Sequence, residues 1–155
     1  MRIGVLTGGG DAPGLNAAIM AIVKKCEKYG FEVLGVRHGW AGMMEGDTIQ
    51  LKYDNIRDII SKGGTIIKTS RTNPLKHPDG IMIIAKNFKD LDIDALIAIG
   101  GDDTLSVAKA LSDAGLNIIG IPKTIDYDVP ETESTIGFDT AINEAMRLIE
   151  NIKAT

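Results

Sequence analysis

The chain has 155 residues, a length that fits one domain able to bury its own hydrophobic core. Its formal net charge is −4 and no stretch is rich in lysine and arginine, which argues against nucleic acid as the main partner. No apolar run is long enough to cross a bilayer, so no membrane partner is expected. The single cysteine, Cys26, excludes an intrachain disulfide and fits a reducing cytoplasm.

The first elements are predicted from apolar periodicity. Residues 3–7 form a short apolar run that predicts a buried strand. Between residues 15 and 26 apolar side chains recur with helical spacing, and this helix is predicted to end near Gly30. Cys26 lies on the apolar face of that helix, so we expect it to pack in the core rather than act as a nucleophile. A second strand is predicted over 31–36.

The pattern is less regular in the middle of the chain. Residues 37–53 are mixed, with a short hairpin or turn predicted around 46–47. Residues 56–60 predict a short helix that stops before the pair Gly63-Gly64. The stretch 69–80 is polar and interrupted by prolines, which indicates a loop.

Strands and helices alternate more clearly in the second half. The predicted elements are, in order, a helix over 82–91, a strand over 95–99, a helix over 104–114, a strand over 117–121, a polar loop over 122–137 and a last helix with Asp139 or Thr140 as its cap. The apolar stripe of that last helix comprises Phe138, Ile142, Ala145, Ile149 and Ile152.

This alternation is typical of βαβ units. The predicted fold class is therefore α/β, a three-layer, Rossmann-like arrangement of a mostly parallel sheet with helices on both faces. Ligands of such sheets bind beyond the carboxyl ends of the strands. We expect the loops that follow residues 7, 99 and 121 to meet at that edge.

The first of these loops is rich in glycine. The segment TGGGDAPGLNAA, residues 7–18, places four glycines before a predicted helix, where backbone N–H groups can receive a phosphate. It lacks the Gly-Lys-Ser/Thr ending of a P-loop and the G-x-G-x-x-G order of a dinucleotide fingerprint. Phosphate binding and tight packing are both compatible with this loop.

The second loop carries two acids where an anion site is expected. In IAIGGDDTLSVAKAL, residues 97–111, a strand, a glycine turn and a helix start follow one another, and Asp102 and Asp103 occupy the turn. Arg71, in the polar segment SRTNP, is either a solvated surface arginine in a basic patch with Lys68 and Lys76 or part of the same site.

The third loop contains several chemically active side chains. The segment PKTIDYD, residues 122–128, offers Lys123, Thr124, Asp126 and Asp128. In an extended segment Asp126 and Asp128 would project to the same side. Two carboxylates suit general-base work or magnesium binding, and the lysine suits phosphate. The alternative is a turn whose polar side chains bond their own backbone.

Four motifs together resemble the phosphofructokinase family. They are GGGDAPGLNAAI, TSRTNP, GGDDTLSVA and IPKTIDYDVPETESTIGFDTA, in this order from residue 8 to residue 141. The resemblance implies magnesium-dependent phosphoryl transfer to the 1-hydroxyl of fructose 6-phosphate, a reaction of glycolysis. It also implies that residues 1–155 form a donor-phosphate-binding domain with the start of the substrate loop, the N-terminal half of a two-domain cytoplasmic enzyme, homo-oligomeric at full length.

The resemblance also implies a role for each matched residue. Gly10 would lie against the donor phosphates and Arg71 would contact them. Asp102 would serve the magnesium ion. Thr124 would help to hold the reacting end of the sugar, Asp126 would accept the hydroxyl proton and Asp128 would support that site. Phosphoryl transfer depends on positioning and charge neutralisation, which these residue types supply.

Donor choice is the finer implication. ATP-using relatives have glycine at the positions of Asp103 and Lys123, and the Asp–Lys pair resembles the pyrophosphate-dependent branch. Asp103 would repel the longer nucleotide and Lys123 would neutralise the leaving phosphate. An ATP-dependent enzyme that tolerates Asp103 and a non-catalytic phosphate-binding module are the alternatives, whereas the glycine spacing argues against a dehydrogenase.

Two positions depart from the family pattern. Tyr127 stands where the family usually has asparagine, and Glu131 stands where it usually has glycine. We expect the tyrosine to alter how the loop packs while leaving both neighbouring carboxylates in place.

Overall fold

The computed structural model describes residues 1–153, so the last two residues of the predicted 1–155 domain lie outside the described part. Its strands are β1 (Arg2–Thr7), β2 (Glu32–Val36), β3 (Thr48–Leu51), β4 (Ala95–Gly100), β5 (Ile118–Thr124) and β6 (Ile136–Gly137). Its α-helices are α1 (Leu15–Lys28), α2 (Gly39–Glu45), α3 (Tyr53–Ile56), α4 (Gly80–Asp90), α5 (Asp102–Asp113) and α6 (Phe138–Lys153), with short 3-10 turns at Arg57–Ile59 and Pro74–Lys76.

The strands form a single sheet in the order β3-β2-β1-β4-β5-β6. Every neighbouring pair is parallel except β2 and β3, which run antiparallel at one edge. Thr7 is level with Ile99, and Ile99 is level with Ile121. The carboxyl ends of β1, β4 and β5 therefore lie side by side, as expected from the sequence.

Helices cover both faces of the sheet. On one face α1 buries Leu15, Ile19 and Val23, which recur every four residues and pack with Val5 of β1. On the other face α2, α4 and α5 pack against the opposite side of the same strands. This arrangement confirms the predicted three-layer α/β class with a mostly parallel sheet.

Helix α1 ends as predicted. Gly30 has a positive φ of 71° and its N–H bonds to the carbonyl of Glu27, a left-handed stop that glycine adopts without steric cost. Cys26 is buried against the α1 core, and burial raises the pKa of its thiol. Both observations confirm a packing role for this cysteine.

The mixed segment 37–53 contains a helix that periodicity did not reveal. The predicted turn is present at Gly46, which closes α2 in the left-handed region, but helix α2 stands between the antiparallel strands β2 and β3. Trp40 and Met43 of α2 are buried in the second core cluster. At Gly42 a Cβ would lie 1.7 Å from the carbonyl oxygen of Arg37, so only glycine lets the helix lie this close.

Three predicted boundaries are wrong. The short helix predicted over 56–60 begins earlier, as α3 followed by a 3-10 turn. The predicted loop 122–137 starts within β5, which extends through Thr124 because it pairs with β6. Helix α6 begins at Phe138, so Asp139 and Thr140 lie inside its first turn and do not precede it as caps.

The apolar stripe of α6 is not buried. Ile142 is 42% exposed and Ile149 is 53% exposed, and no described residue of this helix is classed as buried. Within residues 1–153, no helix combines the length and apolar character needed to cross a membrane.

Candidate active site

A polar cleft of about 400 Å³ lies at the carboxyl edge of the sheet, where the loops after β1, β4 and β5 meet. It contains every site residue predicted from the sequence. Its lining comprises Gly9, Gly10, Arg71, Gly101, Asp102, Asp103, Thr104, Lys123, Thr124, Asp126 and Asp128.

The glycines of the first loop serve two different purposes. Gly8 is buried, and a Cβ on it would lie 2.4 Å from the Oγ1 of Thr104, so this glycine permits tight packing. At Gly10 nothing lies within 4 Å of the position that a Cβ would take, so the backbone there is open to the cleft. Packing and an open approach for a ligand thus coexist in one loop, at different residues.

Thr104 places the start of α5 on the ends of two strands. Thr104 is only 4% exposed. A Cβ on Gly100 would come within 2.5 Å of its side chain, and a Cβ on Gly8 would come within 2.4 Å of it. This packing brings Asp102 and Asp103, in the first turn of α5, to the rim of the cleft. Acids are favoured in the first turn by the helix dipole.

Lys123 is a buried cation at the floor of the cleft. Its residue is 4% exposed, and its Nζ donates a 2.5 Å hydrogen bond to the carbonyl oxygen of Gly10. Burial lowers the pKa of Lys123, while the nearby charges of Asp11, Asp126 and Asp128 act in the opposite direction. The ammonium is therefore held between the first loop and the acidic third loop.

The third loop is organised around the hydroxyl of Thr124. This hydroxyl donates to Oδ1 of Asp128 at 2.9 Å and accepts the N–H of Asp126 at 3.0 Å. The local turn considered as an alternative is therefore present, and it presents both carboxylates to the cleft. Within the described part of the chain the Asp126 carboxylate makes no hydrogen bond or ion pair, so it is available to accept a proton.

The sequence predicted that Asp126 and Asp128 project to the same side of an extended segment, but the segment is not extended. Tyr127 between them has a φ of +57°, in the left-handed region, and this turn brings Asp126 and Asp128 to the same cleft. The Tyr127 ring packs on Phe138 with the ring centroids 4.6 Å apart. Both carboxylates that flank this tyrosine, Asp126 and Asp128, line the cleft.

Arg71 lines the cleft. Its loop is joined to the first loop by two hydrogen bonds, from the Gly9 N–H to the Ser70 carbonyl and from the Thr69 hydroxyl to the Gly9 carbonyl. Lys68, one of its two expected companions in a basic patch, lines a separate cavity with Asp11 and His38.

A family model for phosphofructokinase matches residues 2–155. The chain belongs to the phosphofructokinase family.

Two curated relatives and one solved structure illustrate the similarity to other phosphofructokinases. Over its whole length the chain is 52% identical to a pyrophosphate–fructose 6-phosphate 1-phosphotransferase from Dictyoglomus thermophilum, of which it covers 45%. It is 46% identical to ATP-dependent 6-phosphofructokinase 3 from Streptomyces coelicolor, again covering all of this chain and 46% of the relative. The chain thus spans about half the length of the curated relatives it matches.

The fold agrees with that of solved phosphofructokinases. The crystal structure of Pichia pastoris phosphofructokinase in the T-state matches with a TM-score of 0.90 and 32% sequence identity. The match covers 99% of this chain and 18% of that one.

One carboxylate of the cleft, that of Asp102, is of the kind that suits a magnesium ion. Within residues 1–153 no group of three or more His, Cys, Asp or Glu side chains is arranged to hold a metal ion. Magnesium, however, commonly takes one or two carboxylates and completes its shell with water and phosphate oxygens. Asp102, exposed at the cleft rim, supplies a carboxylate of this kind.

Sequence reasoning missed two residues that shape the site. For Thr104 the sequence carries only an indirect signal: Gly8 and Gly100 end two predicted strands, where glycine indicates that another element approaches closely. Asn73, whose amide contacts Asp103 at 3.4 Å, follows Arg71 in an Asn-Pro pair that indicates only a turn. Its partner thirty residues away is a tertiary contact that no local pattern shows.

Proposed function

We propose that this chain is the donor-binding N-terminal half of a pyrophosphate-dependent phosphofructokinase, which transfers a phosphoryl group from pyrophosphate to the 1-hydroxyl of fructose 6-phosphate. The observation that carries the proposal is that the buried Lys123 ammonium and the Asp103 carboxylate line the same cleft as Asp126. The relative from Dictyoglomus thermophilum, which bears a pyrophosphate-dependent name, supports it at 52% identity over the whole chain.

The donor half of the cleft neutralises phosphate charge. Arg71 and Lys123 supply two cations, and the open backbone at Gly10 lets phosphate oxygens approach closely. Asp102 would hold magnesium together with the donor phosphates. When bound, the ion neutralises charge that develops on the transferred group.

The acceptor half of the cleft activates the sugar hydroxyl. The free carboxylate of Asp126 would accept the proton of the sugar 1-hydroxyl. The hydroxyl oxygen would form a bond to one phosphorus of pyrophosphate, the bridging P–O bond would break, and phosphate would leave. Thr124 would fix the reacting end of the sugar, and Asp128, hydrogen-bonded to the Thr124 hydroxyl, would hold that residue in orientation. The leaving phosphate would depart towards the Lys123 ammonium.

Asp103 would set donor preference. A carboxylate at the cleft rim repels and crowds the extra phosphate and nucleoside of ATP, whereas the compact pyrophosphate avoids it. The similarity to an ATP-dependent relative at 46% identity favours one second candidate, an ATP-dependent enzyme that tolerates Asp103. The two candidates differ only in donor.

The deciding experiment measures kcat/KM of the full-length enzyme with magnesium pyrophosphate and with magnesium ATP. We expect the wild type to prefer pyrophosphate, and Asp103→Gly to raise ATP use by roughly 100-fold. Lys123→Gly alone should reduce pyrophosphate use, and the double variant reports the coupling of the two residues. A wild type that prefers ATP would overturn the pyrophosphate proposal and favour the second candidate.

The cellular compartment and the oligomeric state of the enzyme are part of the same proposal. The buried, reduced Cys26 fits a cytoplasmic enzyme. A homo-oligomeric state follows from the family resemblance alone, and light scattering of the purified full-length enzyme tests it.

A further inference from the structure

We propose that Asn73 is a positioning residue for donor choice, which holds the Asp103 carboxylate at the rim of the cleft and away from Arg71. The inference rests on the proposed function, because it concerns how Asp103 is oriented for that function. Asn73 acts through Asp103 and does not itself line the cleft.

The side-chain amide of Asn73 makes two hydrogen bonds, one through its oxygen and one through its nitrogen. Oδ1 accepts the N–H of Leu75 at 2.9 Å and so caps the 3-10 turn Pro74–Lys76. Because this contact fixes the amide plane, Nδ2 is directed outward, and it donates to Oδ1 of Asp103 at 3.4 Å. The carboxamide thus connects the Arg71 loop with the first turn of α5.

The turn that carries Asn73 is packed against the body of the domain. Pro74 is buried, and its carbonyl lies so close to the start of α4 that a Cβ on Gly80 would come within 2.2 Å of it. The Lys76 N–H also bonds back to the Asn73 carbonyl at 3.0 Å. Asn73 is therefore anchored to the body of the domain, whereas Asp103 projects from an exposed helix start.

Without this anchor the Asp103 carboxylate has an alternative partner. Asp103 and Arg71 both line a small cavity of about 30 Å³ beside the main cleft, yet they form no ion pair within the described residues. Among these residues Asn73 makes the one hydrogen bond that the Asp103 side chain receives.

If Asp103 turned to Arg71, one rotation would have two consequences. The arginine would be neutralised before a donor phosphate arrived, which would weaken pyrophosphate binding. The carboxylate would also leave the path of a nucleotide, which would weaken exclusion. Asn73 therefore protects both properties at once.

The test uses the full-length enzyme and separates the two hydrogen bonds of Asn73. Asn73→Ser keeps a cap acceptor for Leu75 but is too short to reach Asp103, and Asn73→Thr is a second variant of the same kind. Leu75→Ala, at an exposed position of the same turn, is the matched control that leaves both bonds in place. For each variant kcat/KM is measured with magnesium pyrophosphate and with magnesium ATP, alongside the thermal midpoint.

We expect Asn73→Ser to lower the pyrophosphate-to-ATP preference roughly tenfold, chiefly through a higher KM for pyrophosphate, with the thermal midpoint and the Leu75→Ala control unchanged. In an Asp103→Gly background the same substitution should change the ratio less than about twofold, because its target is gone. An unchanged ratio in Asn73→Ser, or an equal loss in both backgrounds, would overturn the proposal. The donor that the wild type prefers tests the proposed function separately. The coupling between Asn73 and Asp103 is measured as a change in the pyrophosphate-to-ATP ratio, so it can be determined whichever donor the wild type prefers.

Discussion

At the scale of single residues, Lys123 has the most unusual surroundings in the cleft. Its ammonium is buried, hydrogen-bonded to the Gly10 carbonyl and close to the carboxylates of Asp11, Asp126 and Asp128. Burial is the largest influence and lowers the pKa of Lys123 below its usual 10.5, although the three acids oppose the effect. The cation proposed to receive the leaving phosphate therefore loses its proton at a lower pH than an exposed lysine would.

This lowered pKa predicts an alkaline decline in activity. As pH rises, Lys123 becomes neutral, so kcat/KM for magnesium pyrophosphate should fall before pH 10.5 is reached. In Lys123→Arg the cation stays protonated, and the decline should move to higher pH. Pyrophosphate titrates identically in both assays, so the difference between the two pH profiles isolates the side chain. Coincident profiles would assign the decline to another group.

At the scale of the elements, the glycine loop after β1 has one packed and one open position. Gly8 faces the buried Thr104, which is β-branched and cannot move aside, whereas Gly10 faces empty space in the cleft. The two glycines are two residues apart and have opposite surroundings. This makes them a matched pair for separating packing from ligand approach.

We expect Gly8→Ala to destabilise the enzyme by about 1–3 kcal/mol, because the methyl group would overlap Thr104. Gly10→Ala should leave stability within about 0.5 kcal/mol of the wild type but raise the KM for pyrophosphate, because the methyl group enters the donor space. Thermal unfolding and steady-state kinetics on both variants check this. Equal thermal midpoints for the two variants, or an unchanged KM in Gly10→Ala, would contradict it.

The loop between β5 and β6 stores backbone strain. Tyr127 and Glu131 both have positive φ, at 57° and 60°, at the two positions where the family usually has asparagine and glycine. A left-handed conformation costs a residue with a side chain roughly 1–2 kcal/mol. Tyr127 gains a ring contact with Phe138 in return, whereas Glu131 is exposed.

Glu131→Gly should therefore stabilise the enzyme. Relief of the strained φ outweighs the extra flexibility of glycine in the unfolded chain, and the thermal midpoint should rise by about 2 °C. Glu133→Gly, also exposed and without a positive φ, is the control and should lower the midpoint. A rise in both variants, or in neither, would show that the backbone angle at residue 131 is not the cause.

The sequence predicts the long elements well because their buried residues produce a recognisable pattern of apolar positions. In α1, Leu15, Ile19 and Val23 mark one face, and the parallel core strands are continuous apolar runs. Helix α2 was missed because it has seven residues, two of them glycines, and is stabilised by the tertiary burial of Trp40 and Met43. Strand β6 has two residues, and Ile136 reveals its role only by pairing with Lys123.

The candidate site was predictable to a similar degree. Loops that follow parallel strands must share an edge, so the meeting of Gly10, Asp102 and Asp126 follows from topology. The left-handed turn at Tyr127 and the contact between Asn73 and Asp103 do not follow, since each depends on three-dimensional neighbours.

At the scale of the whole molecule, α6 has an apolar face that the described residues do not cover. Met146 and Leu148 are each 54% exposed and Ile149 is 53% exposed, on a helix that also bears many charged residues. The chain matches 45% of its relative from Dictyoglomus thermophilum. The exposed apolar face of α6, together with the partial coverage of that relative, supports the proposal that this chain is one half of a two-domain enzyme.

The last prediction concerns residues 1–155 produced alone. We expect this chain to bind magnesium pyrophosphate, since Gly10, Arg71, Asp102 and Lys123 all belong to it, but not to phosphorylate fructose 6-phosphate at the rate of the full-length enzyme. The base Asp126 is present, so the loss would reflect missing contacts to the sugar phosphate. Calorimetry with pyrophosphate and a coupled assay for fructose 1,6-bisphosphate provide the two measurements, with Lys123→Gly as the control that should weaken binding. Turnover by the isolated chain at the full-length rate would show that residues 1–155 hold the entire active site, and the two-domain proposal would then fail.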